Sequence, residues 1–338
     1  MANAGLAPSI SSEEATLFSP QETTGVSFRK WLCGTLLLTI AMCASFVFLN
    51  VKTDTLGLYG RRGVRIHILP RFSLYLMTYR FIPENFDGLM IGNSEGSVYD
   101  TSQIHGYKVF NAAMRASSMT EERAIAEEVL KRGHLKMVVL ILGPTLTSTQ
   151  TARSAYLTPH DYTASFGSVQ MMMIYAQLLR EALHRPGPIT YDSNGRTHWP
   201  LKSTTGVFKP FTTADLTIDP SEGQDLYELL GELHAKEVKV YIVFPPMYEP
   251  KWDGQRQQLL QWRSAVMAGL TPDDEVVQIP PALRESIQTG PGNFPDFVHL
   301  SNTASATVMD AIAKDIEKKD ALRAQTAKLP PASSSNAE

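Results

Sequence analysis

Five short apolar segments alternate with helix-like segments after residue 86, and this alternation constrains the fold more than any other feature of the chain. The segments are FDGLMIG (86–92), YKVFNAA (107–113), KMVVLILG (136–143), VKVYIVFPP (238–246) and EVVQIP (275–280). The third is apolar throughout, which is typical of a strand buried on both faces. The pattern predicts an α/β fold with a doubly wound, mostly parallel sheet of about five strands in the flavodoxin-like order.

Helix signals lie between these segments. Ser118 and Glu121 stand at the spacing of a capping box, and Asp219-Pro220 is a favourable helix start. The segment SNTASATVMDAIAKDIEKK (301–319) predicts a closing helix.

One long insertion, residues 144–217, interrupts the alternation. It contains the methionine-rich segment SVQMMMIYAQLLREALH, whose methionines we expect to pack in the core. It also contains YDSNGRTHW, where Asn194-Gly195 favours a tight hairpin turn. Long insertions at strand ends often cover a site, and we expect the same here.

The N-terminal part contains an uncharged run, WLCGTLLLTIAMCASFVFLNV, from Trp31 to Val51. Crossing a bilayer requires roughly 20 apolar residues, so the run predicts a retained transmembrane anchor over residues 29–52. A buried core helix, a cleaved signal peptide and a lipoprotein site at Cys43 are the alternatives. The apolar region of a signal peptide is usually roughly 7–15 residues long and begins nearer the N-terminus.

Basic residues on both sides of the apolar run leave its orientation open. Arg29 and Lys30 precede it and favour a cytoplasmic N-terminus. Four basic residues follow it and favour the opposite orientation: Lys52, Arg61, Arg62 and Arg65.

The remaining boundaries follow from composition. Residues 1–28 are rich in Ser, Thr, Ala and Glu without an apolar period, which predicts a disordered tail. We expect a juxtamembrane connector over 53–85, the α/β domain over 86–319, and a second disordered tail over 320–338.

Charge and cysteine usage exclude several classes of function. The net charge of −3 over 338 residues gives no reason to expect a nucleic-acid partner. The two cysteines, Cys33 and Cys43, both lie in the apolar run, so neither a disulfide framework nor a thiolate metal site is expected. Neither an HExxH motif nor a phosphate-binding glycine loop is present, so we expect no metal and no cofactor.

Two polar motifs fall where the sheet would place a catalytic site. Ser94 follows the first strand, and Asp296 and His299 precede the closing helix. In an open α/β sheet the site lies beyond the carboxyl ends of the strands. A serine becomes a nucleophile when a histidine takes its proton and a carboxylate orients that histidine. The alternatives are a turn serine that binds local amides and a structural histidine before a helix.

These motifs resemble those of the SGNH/GDSL hydrolase superfamily. IGNSEGS is similar to its Gly-Asp-Ser block and DFVH to its Asp-x-x-His block. VFNAAMRAS stands in place of the block that provides an oxyanion glycine, and LILGPTLTS in place of the Gly-x-Asn block. The resemblance covers roughly residues 86–318. It implies a serine esterase or O-acyltransferase with Ser94 as nucleophile, His299 as general base and Asp296 as orienting carboxylate.

The two inner blocks depart from the family pattern. Ala113 stands near the expected glycine, whose role a backbone N–H can still fill. The family asparagine is missing after Gly143, and Thr145 or Thr147 could donate a hydroxyl instead. Glu95 and Arg115 are candidate substrate contacts. Four aromatic residues could line a sugar groove: Tyr156, Tyr162, Trp199 and Trp252.

The membrane anchor, the sheet motifs and the insertion together resemble accessory acyl-transfer proteins of bacterial exopolysaccharide and cell-wall polymer systems. Examples are the alginate and cellulose acetylation proteins, the cellulose-operon SGNH proteins and the D-alanyl transfer protein of teichoic acids. The resemblance implies a single-pass inner-membrane protein with a periplasmic catalytic domain. Its partners would be a polysaccharide acceptor, an acyl donor and a membrane-bound acyltransferase or polysaccharide synthase complex. Hydrolysis and transfer both stay open, as does a catalytically degenerate domain that binds polysaccharide or scaffolds a synthase.

Overall fold

The computed structural model describes residues 27–60, 70–148, 166, 168–185, 189–198 and 208–326. The chain divides into two compact units, Met1–Phe48 and Leu49–Glu338. The first contains most of helix α1 (Phe28–Thr53), and the second contains the sheet.

Helix α1 is long and apolar enough to cross a membrane, with a mean hydropathy of 2.3 over its most apolar window. None of that window is buried by the protein, and the Leu37 and Phe48 side chains are 67% and 69% exposed. The hydroxyl of Thr35 donates to the carbonyl of Trp31 at 3.0 Å, and Thr39 donates to Thr35 at 2.9 Å. These side chains therefore satisfy their own polar groups within the helix, as a lipid environment would require.

The second unit is built on five parallel strands and one hairpin. In chain order the strands are β1 (Gly88–Gly92), β2 (Val109–Asn111), β3 (Met137–Ile141), β4 (Thr190–Tyr191), β5 (Thr197–His198), β6 (Lys239–Val243) and β7 (Asp274–Val276). The main sheet has the order β2-β1-β3-β6-β7, and every pairing in it is parallel. This order confirms the predicted flavodoxin-like α/β sheet.

Helices cover both faces of the sheet. They are α2 (Pro70–Met77), α3 (Phe81–Asn85), α4 (Met119–Arg132), α5 (Val169–Ala182), α6 (Pro220–Ala235), α7 (Glu249–Gly254), α8 (Arg256–Ala268), α9 (Pro281–Thr289) and α10 (Asn302–Thr326). Alternate strand residues point to opposite faces. Leu140 therefore packs in one core with α4, α6 and α8, whereas Val139 and Ile141 pack in the other with α9 and α10.

The predicted helix starts are present. The backbone N–H of Ser118 donates to Oε2 of Glu121 at 3.1 Å, and the Ser118 hydroxyl accepts from the Glu121 N–H, which completes a capping box at α4. At α6, Oδ1 of Asp219 accepts from the Ser221 N–H at 2.9 Å. Both caps satisfy N–H groups that a helix start leaves without partners.

The predicted connector over 53–85 does not stand apart from the folded domain, because described residues of this range are buried in its core. Leu56, Leu76 and Ile82 are buried in the same core as Leu89 of β1. Full burial of such side chains contributes about 1.5–3 kcal/mol each. The segment therefore helps to hold the sheet together.

The predicted tail from residue 320 also begins too early, since α10 continues to Thr326. Asp320 accepts hydrogen bonds from the hydroxyls of Tyr107 and Tyr241, each at 2.6 Å, and from the ammonium group of Lys239. These contacts hold the end of α10 against β6.

The described residues of the insertion include a hairpin and helix α5. The predicted hairpin is present as β4 and β5, and Gly195 in its turn has a φ of +87°. The N–H of Asn111 donates to the carbonyl of Asn194 at 2.7 Å, so the hairpin tip is attached to the end of β2. In α5, Met171 is buried as predicted, whereas Met172 and Met173 are exposed.

Candidate active site

Ser94 lies at the carboxyl edge of the sheet, in the turn that follows β1. Gly92 has a φ of +140°, and a Cβ there would stand 2.4 Å from the carbonyl oxygen of Ile141, so only glycine fits this strand end. The turn is held by Asn93, whose Oδ1 accepts from the Glu95 N–H at 3.1 Å and whose carbonyl accepts from the Gly96 N–H at 2.9 Å. The half-buried Ser94 side chain therefore stands on a fixed turn.

Asp296 and His299 form a hydrogen-bonded pair. Nδ1 of His299 lies 2.6 Å from Oδ2 of Asp296, and the His299 backbone N–H donates to Oδ1 at 2.7 Å. Burial acts to raise the pKa of Asp296, but the hydrogen bonds from His299 outweigh it and hold that pKa below its ordinary value. An ionised carboxylate only accepts hydrogen bonds, so Nδ1 carries the proton and Nε2 is the basic nitrogen.

The two motifs are far apart in the chain, but their side chains lie close enough to interact electrostatically. The charge of His299 acts on the carboxyl group of Glu95, the residue after Ser94, and lowers its pKa against the larger effect of burial. Glu95 and Asp296 also both act on the ammonium group of Lys251. The fold thus brings the Ser94 turn and the Asp296–His299 turn to the same sheet edge.

The backbone N–H groups of Ser94 and Ala113 differ in their availability to an oxyanion. Within the described part of the chain, the Ser94 N–H donates no hydrogen bond and remains available to an oxyanion. The Ala113 N–H instead donates to Oδ1 of Asn111 at 3.1 Å. Asn111 takes this position because its Nδ2 donates to the carbonyls of Gly96 and Tyr99 at 3.0 and 2.9 Å. The predicted oxyanion role of Ala113 would require breaking its bond to Asn111.

The third block lies beside the nucleophile turn. A Cβ at Gly143 would stand 2.5 Å from Oε2 of Glu95, so the glycine makes room for that carboxyl group. Thr145 contacts the turn directly, since its hydroxyl oxygen accepts from Nδ2 of Asn93 at 2.9 Å. Thr147 is buried instead, where its hydroxyl accepts from the Trp262 indole at 3.1 Å. Of the two threonines, Thr145 is the one at the site.

Glu95 places an enclosed carboxyl oxygen within the candidate site. Its Oε2 is buried without a hydrogen-bond partner among the described residues. Burial raises the pKa of Glu95, and the positive charges of Lys251 and His299 and the nearby Asn93 amide group act in the opposite direction. A carboxyl group of this kind can hold a proton or a polar ligand.

Lys251 is a site residue that the sequence reasoning missed. It lies in α7, the helix that follows β6 in the chain, and is only 8% exposed. Its ammonium nitrogen lies 3.8 Å from the centroid of the Phe211 ring. Burial lowers the pKa of Lys251, while the carboxylates of Glu95, Asp215 and Asp296 act to raise it. Its position after a strand was the one available signal, and nothing in the sequence pattern indicated burial.

The other candidate contacts are placed less centrally. Arg115 is exposed in the loop before α4. Trp252 packs against the small core of Phe211, Met247 and Leu259. The remaining groove candidates lie outside the described residues: Tyr156, Tyr162 and Trp199. In the described part of the chain, no three His, Cys, Asp or Glu residues are grouped to hold a metal ion.

Comparison with known proteins finds similarity in three-dimensional structure only. No protein-family model and no curated protein matches this chain. It is similar to an acetyl xylan esterase at 11% identity and a TM-score of 0.39, over 69% of this chain and 98% of that one. It is also similar to a lipase/acylhydrolase from Enterococcus faecalis (13%, TM-score 0.35, 69% and 96%) and a GDSL-like lipase from Bacteroides thetaiotaomicron (11%, TM-score 0.36, 69% and 88%). Such likenesses assign this chain neither a family nor an activity, and its fold class rests on its own sheet.

Proposed function

We propose that this chain is a serine-dependent acyl-ester enzyme with Ser94 as nucleophile, His299 as general base and Asp296 as orienting carboxylate. The observation that carries the proposal is the 2.6 Å contact between Asp296 Oδ2 and His299 Nδ1. It lies at the sheet edge where the Ser94 turn follows β1. A serine, a histidine in a fixed tautomer and a carboxylate are the groups that acyl transfer requires.

The reaction begins when the Ser94 hydroxyl oxygen attacks the carbonyl carbon of an acyl ester. Nε2 of His299 takes the hydroxyl proton, and Asp296 stabilises the imidazolium ion. The Ser94 N–H donates to the tetrahedral oxyanion, and a donor of this kind contributes about 3 kcal/mol in well-studied enzymes. The proton then passes from His299 to the leaving oxygen, the old ester bond breaks, and the acyl group remains on Ser94. A water molecule or an alcohol later takes the acyl group by the reverse sequence.

We further propose that the substrate is an exported bacterial polysaccharide such as cellulose. Helix α1 would anchor the protein in the inner membrane with the catalytic domain in the periplasm. Its partners would be the polymer, an acyl donor and a membrane-bound acyltransferase or synthase complex. A tether near the point of polymer export raises the effective concentration of sugar hydroxyls without any new contact, which favours transfer of acetyl groups over hydrolysis.

Labelling with a fluorophosphonate probe tests the chemical step. The wild-type protein should react at Ser94 and hydrolyse an aryl acetate, whereas Ser94→Ala should do neither and should melt at nearly the same temperature. Ser102→Ala, on an exposed turn, is the matched control and should retain both activities. Full aryl-acetate hydrolysis by Ser94→Ala would refute the nucleophile assignment.

The polysaccharide assignment needs a measurement on the polymer. We expect a strain with Ser94→Ala to make the polymer with less alkali-labile acetate per sugar. A higher acetate content would mean that the enzyme removes esters.

A second function is favoured by the oxyanion region. The Ala113 N–H donates a hydrogen bond to Oδ1 of Asn111 at 3.1 Å. In addition, the asparagine of the Gly-x-Asn block is missing after Gly143. A catalytically degenerate domain that binds polysaccharide or scaffolds a synthase would tolerate both features. It would show no fluorophosphonate labelling, and Ser94→Ala would leave polymer acetate unchanged.

A further inference from the structure

Lys251 is a nearly buried cation whose hydrogen-bonding capacity is unused. It is 8% exposed, and within the described part of the chain its ammonium group forms neither a hydrogen bond nor an ion pair. The face of the Phe211 ring lies 3.8 Å away and stabilises the charge without accepting a conventional hydrogen bond. Burying an ammonium group is costly unless a partner compensates, so the three donors favour a molecule that enters the site.

Glu95 presents the complementary group. Its Oε2 is buried without a hydrogen-bond partner among the described residues. Glu95 and Lys251 each shift the pKa of the other, so their charges interact across the site. No ion pair forms between them, so neither group directly satisfies the other.

A hydroxyl group suits these two unsatisfied groups better than an anion or an apolar group. Its oxygen accepts from an ammonium group while its proton is donated to a carboxylate, so one hydroxyl satisfies both residues. An anion would meet the carboxylates of Asp215 and Asp296 as well as that of Glu95, since all three act on Lys251. An apolar group would leave both buried groups unpaired.

We infer that the acyl acceptor is a polyhydroxylated molecule, one of whose hydroxyl groups binds between Lys251 and Glu95. The inference rests on the proposed acyl-transfer function and names two residues that bind its acceptor. A second hydroxyl is needed because the attacking group must lie beside Nε2 of His299, which takes its proton. That oxygen attacks the carbonyl carbon of the ester on Ser94. The bond to the Ser94 oxygen breaks, the proton returns to Ser94, and the acyl group leaves on the acceptor.

Aromatic rings before α7 and next to Asp296 suit a sugar-like acceptor. Tyr248 precedes α7, Phe297 follows Asp296, and their ring centroids are 5.2 Å apart. The ring of Phe208 lies 5.6 Å from Tyr248 and 6.1 Å from Phe297. Phe297 holds a φ of +65°, which non-glycine residues rarely adopt. The half-buried rings offer apolar surface beside the polar pair, the combination typical of small-molecule sites.

The test measures how much of the acetyl group on Ser94 is transferred to water and how much to an added alcohol. An aryl acetate serves as the ester donor that loads Ser94. Glycerol and cellotetraose are the polyhydroxylated probes, and 1-propanol is the matched probe with one hydroxyl. At equal hydroxyl concentration, the wild-type protein should form about tenfold more acetyl ester from glycerol than from 1-propanol, the effect of one charged hydrogen bond.

Two substitutions test whether Lys251 and Glu95 cause the preference for glycerol. Lys251→Met keeps an unbranched stem over Phe211 but removes the donors, and Glu95→Gln keeps the shape but removes the charge. Each should lower the ratio of glyceryl acetate to free acetate by about tenfold. Lys314→Met and Glu285→Gln change exposed residues and should keep the wild-type ratio.

Two results would overturn the inference. One is equal use of glycerol and 1-propanol by the wild-type protein. The other is an unchanged ratio in Glu95→Gln or in folded Lys251→Met. If Lys251→Met does not fold, as judged by its melting curve, Glu95→Gln decides the question.

A binding measurement separates this inference from the proposed function. Ser94→Ala protein should bind cellotetraose, and the additional change Glu95→Gln should weaken that binding about tenfold. Fluorophosphonate labelling together with no preference for polyols would overturn the acceptor inference alone. Cellotetraose binding that depends on Glu95, without any labelling of the wild type, would support the polyol site and refute the acyl chemistry.

Discussion

A Cβ atom at Gly143 would stand 2.5 Å from Oε2 of Glu95, so the carboxyl group keeps its place only because residue 143 is glycine. The contact joins the loop after β3 to the turn after β1. It gives the Glu95 carboxyl group a position that depends on a neighbouring loop.

Gly143→Ala should therefore displace Glu95 at little cost in stability. The clashing atom ends a flexible side chain, so we expect the melting temperature to fall by about 3 °C or less. The ratio of glycerol transfer to hydrolysis should fall about as far as in Glu95→Gln. Gly231→Ala is the control, because a Cβ at Gly231 in α6 meets nothing within 4 Å. A wild-type transfer ratio in Gly143→Ala would contradict the prediction.

Asp296→Asn should lower kcat for aryl-acetate hydrolysis by about 10³- to 10⁴-fold. The amide can donate a hydrogen bond to Nδ1 of His299. The imidazole proton then resides on Nε2, so Nε2 can no longer act as the base. Asp310→Asn, on the exposed face of α10, is the control and should retain wild-type kcat. A loss smaller than tenfold would indicate that another group orients His299.

Glu122→Gln should change how stability depends on pH. Glu122 is fully buried in the first turn of α4, and burial raises its pKa from 4.5 to about 8. Between these values the unfolded chain loses the proton while the folded protein keeps it. The stability contributed by this group is therefore complete below pH 4.5 and is lost as the pH rises through about 8.

Thermal melting between pH 5 and pH 8 tests whether stability falls as the pH rises, as this account requires. We expect the melting temperature of Glu122→Gln to fall less over this interval than that of the wild type, by at least about 2–4 °C. Glu285→Gln, at an exposed position, should follow the wild type. Parallel curves for Glu122→Gln and the wild type would show that Glu122 is ionised in the folded protein.

Truncation tests both the anchor and the domain boundary. The full-length protein should sediment with membranes and resist carbonate extraction, because α1 is apolar on all sides. A protein beginning at Leu49 should be soluble, whereas one beginning at Phe86 should aggregate because it lacks Leu56, Leu76 and Ile82. Carbonate-soluble full-length protein would refute the anchor, and a folded, soluble protein from Phe86 would refute the boundary.

The sheet was predictable because strand signals are local. The run KMVVLILG is apolar at every position and became the central strand β3, which is buried on both faces. The capping box at Ser118 and the hairpin turn at Gly195 were predictable for the same reason.

Long-range packing was not predictable. Lys251 lies on a short polar helix, and its burial depends on Phe211, which comes from the far end of the insertion. The partner of the Ala113 N–H depends on how the Asn111 side chain is oriented by two carbonyls of another loop. The burial of connector residues was not indicated, because its apolar residues follow no strand or helix period long enough to indicate a core.

The attachment of the hairpin tip to β2 also bears on solubility. The two outer strands of the sheet, β2 and β7, have three residues each. At the β2 edge the N–H of Asn111 is already bonded to Asn194 at 2.7 Å. An incoming chain would find little free backbone there, and short or covered edges are how natural sheets avoid pairing with their neighbours. Deleting the hairpin would therefore expose the protein to edge-to-edge self-association.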